Sequence, residues 1–153
     1  MKKQMMLMGV LFLIIVIVSP GFAAYHHEGE NDSDNFISVY PEKAGTKLDH
    51  CALCHSGGQY TNSKGKLVSL GSCQWCHYSY GYDGLAGGSI LDTLNTYGKN
   101  YHNNGRNAVA ISNIENLDSD ADGYTNIQEI NANTYPGNFD DDPSKITAPY
   151  RIY

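Results

Sequence analysis

Two copies of one five-residue pattern, Cys51-Ala52-Leu53-Cys54-His55 and Cys73-Gln74-Trp75-Cys76-His77, constrain this chain more than anything else in it. Two thiols separated by two residues can add across the two vinyl groups of one porphyrin, and the imidazole that follows swings beneath the ring to bind its iron. Each pentad is thus the pattern for covalent attachment of a c-type haem. The 18 residues between Cys54 and Cys73 also suit a zinc ribbon, and the four cysteines of an exported chain also permit two disulfides. Neither alternative needs a histidine directly after each pair. With six histidines in 153 residues, both positions would be filled by chance on the order of a few times in a thousand. The pattern predicts two haem c groups, attached at Cys51, Cys54, Cys73 and Cys76, with His55 and His77 as proximal iron ligands.

Residues 1–23 read as a secretory signal peptide. Lys2 and Lys3 precede an apolar run of 14 residues, 5–18, and Ser19-Pro20-Gly21-Phe22-Ala23 breaks the helix and offers small residues for cleavage. A run of 14 falls short of the roughly 20 apolar residues that span a bilayer, so no stable membrane anchor is expected after cleavage. Export to the periplasm or the cell exterior agrees with haem c attachment, which takes place outside the cytoplasm, where unprotected thiols oxidise. Loss of the leader leaves eight basic against sixteen acidic side chains. That balance excludes a nucleic-acid footprint and argues against an anionic membrane surface.

Beyond the leader, residues 24–105 are expected to form the dihaem region and 106–153 a calcium-binding region with a C-terminal tail. The fold class expected is mainly α, with long irregular loops and one short β-hairpin, organised around haem. Residues 24–50 are polar and predict an extended arm, strand-like only at Phe36-Ile37-Ser38-Val39-Tyr40 before Pro41. The 17 residues between His55 and Cys73 hold the turn-like Ser63-Lys64-Gly65-Lys66 and predict the hairpin. Tyr78, Tyr80 and Tyr82 are expected to wall the second haem. Ser89-Ile90-Leu91-Asp92 predicts a capped helix start, continued by Ile90, Leu94, Tyr97 and Tyr101 on one face and stopped by Asn103-Asn104-Gly105. A further helix over 107–117 should bury Ala110, Ile111, Ile114 and Leu117.

The four methionines all lie at positions 1, 5, 6 and 8, within the leader, which excludes methionine as a sixth iron ligand. The candidate distal ligands are therefore His26, His27, His50 and His102, with His27 favoured because it lies in a reaching arm. Bis-histidine coordination would make both potentials low.

Residues 118–129 satisfy D-x-D-x-D-G-x5-E at every specified place. Calcium takes six to eight oxygens. Asp118, Asp120 and Asp122 offer carboxylates, Tyr124 its backbone carbonyl, Asn126 a ligand directly or through water, and Glu129 both oxygens, while Gly123 allows the sharp turn. One structural Ca2+ is predicted, in a single EF-hand-like loop, with Asp140, Asp141 and Asp142 as supplementary donors.

Taken together, residues 25–30, the two pentads, 94–106, 118–129 and Ala148-Pro149-Tyr150 resemble a family of small exported dihaem proteins from metal-respiring bacteria, named for a Gly-Glu-Gly-Pro motif. The chain departs from that motif, since Gly29-Glu30 is followed by Asn31-Asp32. The resemblance implies extracytoplasmic electron transfer and matches His27 with the family's N-terminal histidine. The function expected is electron relay between redox proteins, chiefly other cytochromes, without catalysis. Two rivals stand beside it: a small dihaem peroxidase or reductase with one open iron, and an oligomer-forming subunit of a larger multihaem assembly.

Overall fold

The computed structural model describes residues 31–80 and 88–146. The leader, His26 and His27, the glycine-rich loop with Tyr82, and the tail after Ile146 lie outside the described residues. Within them the fold is mixed, predominantly helical with one two-stranded antiparallel sheet. No helix among the described residues is long and apolar enough to cross a membrane.

The first element is a helix, α1 (Asp32–Val39), where the alternation of Phe36 to Tyr40 predicts a strand. Two forces override the strand propensity of Ile37 and Val39. Asp32 and Asp34 sit in the first turn, where carboxylates complement the helix dipole. Phe36 and Tyr40, four apart, then face the same way, their ring centroids 5.2 Å apart, both buried where α1 packs on α4 (Ala108–Asn113). Pro41 begins a 3-10 turn, Pro41–Lys43, and irregular turns carry the chain to a second one, Cys51–Leu53. The expected extended arm is thus a helix and a set of turns over residues 32–50.

The hairpin forms as its sequence predicts. Strand β1 (Gly58–Thr61) pairs with β2 (Leu67–Leu70), Gly58 opposite Leu70 and Thr61 opposite Leu67. Its tight turn is set by Asn62, whose Oδ1 accepts from the backbone N–H of Lys64 and Lys66, each at 3.0 Å, and by Gly65 in the left-handed region (φ 72°). Helix α2 (Ser72–Tyr80) follows and packs against both strands and against the turns Cys51–Leu53 and Ile90–Thr93.

The capping box at Ser89 and Asp92 is present, but it opens only a single 3-10 turn, Ile90–Thr93. The expected continuous helix breaks at Leu94 and Asn95 because both are used elsewhere. Leu94 bridges His55, and Asn95 is the N-cap of α3 (Thr96–Asn103), its side chain accepting from the Gly98 N–H at 2.8 Å. Tyr97 and Tyr101 are buried as their periodicity predicts. Helix α4 buries Ala110, Ile111 and Ile114, but Leu117 lies past its end and is 44% exposed.

One core joins Phe36, Tyr40, Leu48, Leu53, Tyr97 and Tyr101 to Ala110, Ile111, Ile114 and Ile130, the last on α5 (Asn126–Ala132). It spans residues on both sides of position 105. Among the described residues, none between 56 and 93 belongs to it.

Candidate functional site

The turn Cys51–Leu53 is held from three sides. Leu53 is buried in the core, His50 caps the turn by accepting the Ala52 N–H on Nδ1 (3.1 Å), and Asn95 stitches its carbonyls. Asn95 Nδ2 donates to the oxygens of Leu53 (2.9 Å) and Ala52 (3.2 Å), while its backbone N–H donates to Cys54 O (2.9 Å). Helix α3 comes so close here that a Cβ on Gly98 would lie 2.1 Å from Cys54 O. Burial first, then the nearby Asp32 carboxylate, push the Cys54 thiol up to about 12.

The second pentad sits on regular helix. At 100° per residue, Cys73, Cys76 and His77 share one face of α2, and Trp75 and Tyr78 share the opposite one. The latter face is an aromatic stack. Tyr78 lies 4.3 Å from Tyr60 of β1 and 5.5 Å from Trp75, ring centroid to centroid, and the Trp75 indole covers Gly58. Tyr78 therefore braces α2 on the hairpin and does not wall the second thiol pair, as the sequence alone suggests.

The cysteine and histidine faces of both pentads meet in one cleft of about 290 Å3, which all four cysteines, His55 and His77 line. That is just under the roughly 300 Å3 at which small-ligand sites usually begin, and smaller than two porphyrins. Of the four candidate distal ligands, His50 and His102 line the same cleft, and His26 and His27 lie outside the described residues. The cleft rim carries a polar network: Arg106 donates to both oxygens of Asp32 (2.6 to 3.0 Å) and Tyr101 donates to Oδ1 (2.8 Å). Burial opposes ionisation of Asp32, but these hydrogen bonds outweigh it and hold its pKa below the usual value. No disulfide joins any two of these four cysteines, and among the described residues no three cysteine or histidine ligand atoms gather at metal-binding distance.

Such a gathering does occur in the loop 118–129. Oxygens of Asp118, Asp120 and Asp122 lie within 4.8 Å of one another. Asp118 organises the loop by accepting the N–H groups of Ala121, Asp122 and Gly123. Ala121 (φ 65°) and Gly123 (φ 99°) make the reversals. Glu129 projects from the first turn of α5, fully buried, and neither of its oxygens has a hydrogen-bond partner. One oxygen each of Asp120 and Asp122 is likewise buried and unpaired. Burial, then Asp120, Asp122 and Asp118, push the Glu129 carboxyl up to about 9.

The other expected donors are used differently. Asn126 spends its carboxamide on backbone, Nδ2 donating to Ile114 O (2.7 Å) and Oδ1 accepting from Ser119 N–H (3.3 Å), so it ties the loop to the core and does not turn toward the acidic cluster. Tyr124, expected to lend its backbone carbonyl, donates its N–H to Asp122 Oδ1 (2.8 Å), a bond that does not engage that carbonyl. Asp141 accepts from Lys47 Nζ (2.6 Å) and Tyr135 N–H, and Asp142 pairs with Ser144 and Lys145. Thr93, Asn95 and Gly98 were not identifiable as site residues from sequence; Asn95 as a helix cap was the one available signal.

Compared with known proteins, the chain matches no family model, no curated protein and no solved structure.

Proposed function

We propose that this chain is an exported dihaem c-type cytochrome that transfers single electrons, with one structural calcium ion in the loop 118–129. The observation that carries the proposal is convergence: two pentads separated by 17 residues turn their thiols and imidazoles into one cleft, which also receives His50 and His102. The zinc-ribbon use of the cysteines fits less well. A zinc ribbon needs four ligands at one point and thiolates to bind the ion, whereas Cys54 sits in surroundings that favour the neutral thiol.

A haem c held in the cleft supplies a one-electron iron couple. Around it the chain's own groups have distinct tasks. Cys51 and Cys54, and Cys73 and Cys76, would hold the two haems covalently through their sulfurs, and His55 and His77 would each offer an imidazole nitrogen to iron. His50 would first have to give up its cap, because Nδ1 accepting the Ala52 N–H leaves the proton of a neutral ring on Nε2. His102, exposed at the rim, carries no such restraint from the Cys51–Leu53 turn.

The acidic loop suits Ca2+ by its donor set. Four carboxylates with four buried, unpaired oxygens between Asp120, Asp122 and Glu129 form a cluster that only a cation or protons can neutralise. Because Ile130, one residue on from Glu129, is a core residue, neutralising the cluster stabilises the core itself.

The test is the pyridine haemochrome spectrum and intact mass of protein from a host that attaches haem c. A c-type band with two added haems is expected; zinc or two disulfides in place of haem would sink the proposal. Carbon monoxide binding to the reduced protein tests the peroxidase or reductase alternative, which requires an open iron.

A further inference from the structure

Thr93 is fully buried and ends the single turn that Ser89 and Asp92 cap. Its hydroxyl makes two short contacts. Oγ1 donates to Ile90 O at 2.6 Å, and it lies 2.7 Å from His55 Nδ1. A hydroxyl has one proton, and here the carbonyl takes it. The contact to the imidazole can then only be Nδ1–H donating to Oγ1. In a neutral ring that sets the tautomer: the proton is on Nδ1, and Nε2 keeps its lone pair. The same turn holds the ring's backbone, since Ser56 N–H donates to Thr93 O at 2.8 Å and Leu94 bridges His55.

We propose that Thr93 is the positioning residue for the first haem, holding His55 by its Nδ1–H so that Nε2 is presented as the axial ligand; this rests on the cytochrome reading. An imidazole that donates its outer N–H is a stronger base toward iron, and its orientation is fixed. Stronger donation favours the ferric form, so Thr93 lowers the potential of the haem that His55 ligates. The chain thereby tunes one of its two irons through a residue outside both pentads.

The test compares full-length wild type with Thr93→Val, which keeps the shape and removes the hydroxyl, and Thr93→Ser, which restores it. Haem content is read first by haemochrome and mass, then both midpoint potentials by redox titration. Proton exchange of the axial rings in the reduced protein is followed by NMR. The wild type should show a slowly exchanging axial Nδ1 proton adjacent to the Thr93 methyl group. Thr93→Val should raise one midpoint, leave the other unmoved and speed that proton's exchange, and Thr93→Ser should reverse each change. Two haems with both midpoints unmoved in Thr93→Val would overturn the proposal. If the valine variant loses haem, the wild-type proton decides: adjacency to Thr93 upholds the proposal and its absence overturns it. A wild type without covalent haem defeats the cytochrome reading instead. The nitrogen-15 shifts of His55 in that protein still judge the bond, with protonated Nδ1 upholding it and protonated Nε2 overturning it.

Discussion

The two pentads carry the same three chemical residues on unlike supports. The first is a 3-10 turn sunk into the main core, with Leu53 buried, Gly98 pressed on Cys54 and Asn95 bonded to three of its carbonyls. The second is a helical face outside that core, steadied by three stacked aromatic rings and a hairpin of two four-residue strands. One site is therefore coupled to global stability, and the other to a small local unit. Local units of this kind open at lower free energy than core elements.

Gly98→Ala should separate the two most sharply. The added Cβ would meet Cys54 O at 2.1 Å, backbone against backbone, and overpacking without room to relax costs about 1–3 kcal/mol or more. Gly58→Ala meets the Trp75 ring at the same distance, but a ring can rotate away. Denaturant unfolding should show a lower midpoint for Gly98→Ala than for Gly58→Ala. If the dihaem proposal holds, peptide mass mapping should show haem missing from residues 51–55 in the former and, if from either pentad, from residues 73–77 in the latter.

Calcium should act on the core side of the comparison. A cation present at about a hundred times its dissociation constant stabilises by about 2.7 kcal/mol. Without it, the Glu129 carboxyl sits at about 9 in the folded chain against an ordinary 4.5. Between those values the folded state keeps a proton that the unfolded state releases, so stability is full below about 4.5 and is lost as pH rises toward 9. Melting temperature in chelator should fall from pH 5 to pH 8. Added calcium, which binds the ionised form, should raise it more at pH 8, and Glu129→Gln should flatten the metal-free slope.

Asn95→Ala removes a helix cap and two bonds to the first pentad, at about 1–2 kcal/mol for the cap and a comparable amount for the bonds. Hydrogen exchange should quicken over 51–55 and 96–98 and stay unchanged over 72–80. The smallest effect belongs to Tyr60→Ala. Losing one stacked ring costs about 0.5–1.5 kcal/mol beyond its buried area, and faster exchange should be confined to the hairpin and α2. Faster exchange at 51–55 as well would mean that the two supports are not independent.

The same contrast explains what could be read in advance. The pentads, the hairpin turn and the loop 118–129 are local: their chemistry fixes the spacing, so each stands out in the linear sequence. Strand-like Phe36 to Tyr40 became helical because the partner face on α4 lies more than 70 residues away in sequence, and no local pattern reveals it. The helix break at Leu94 and Asn95 likewise depends on carbonyls of residues 52–54, about 40 positions earlier. Thr93 was hidden for the same reason. A threonine closing a capped turn is unremarkable until His55 is found beside it.

The spacer residues of each Cys-x-x-Cys are the ones the motif leaves free, yet here they decide where each copy goes. In the first copy the spacer ends in Leu53, which enters the aliphatic and tyrosine core; in the second it ends in Trp75, which lies on Gly58 and stacks with Tyr78. The invariant letters specify cargo and the variable ones an address. Exchanging Leu53 and Trp75 would leave both cargo sites intact on paper while sending each to the wrong berth, a leucine with no ring to stack on and an indole too large for the space behind Cys54.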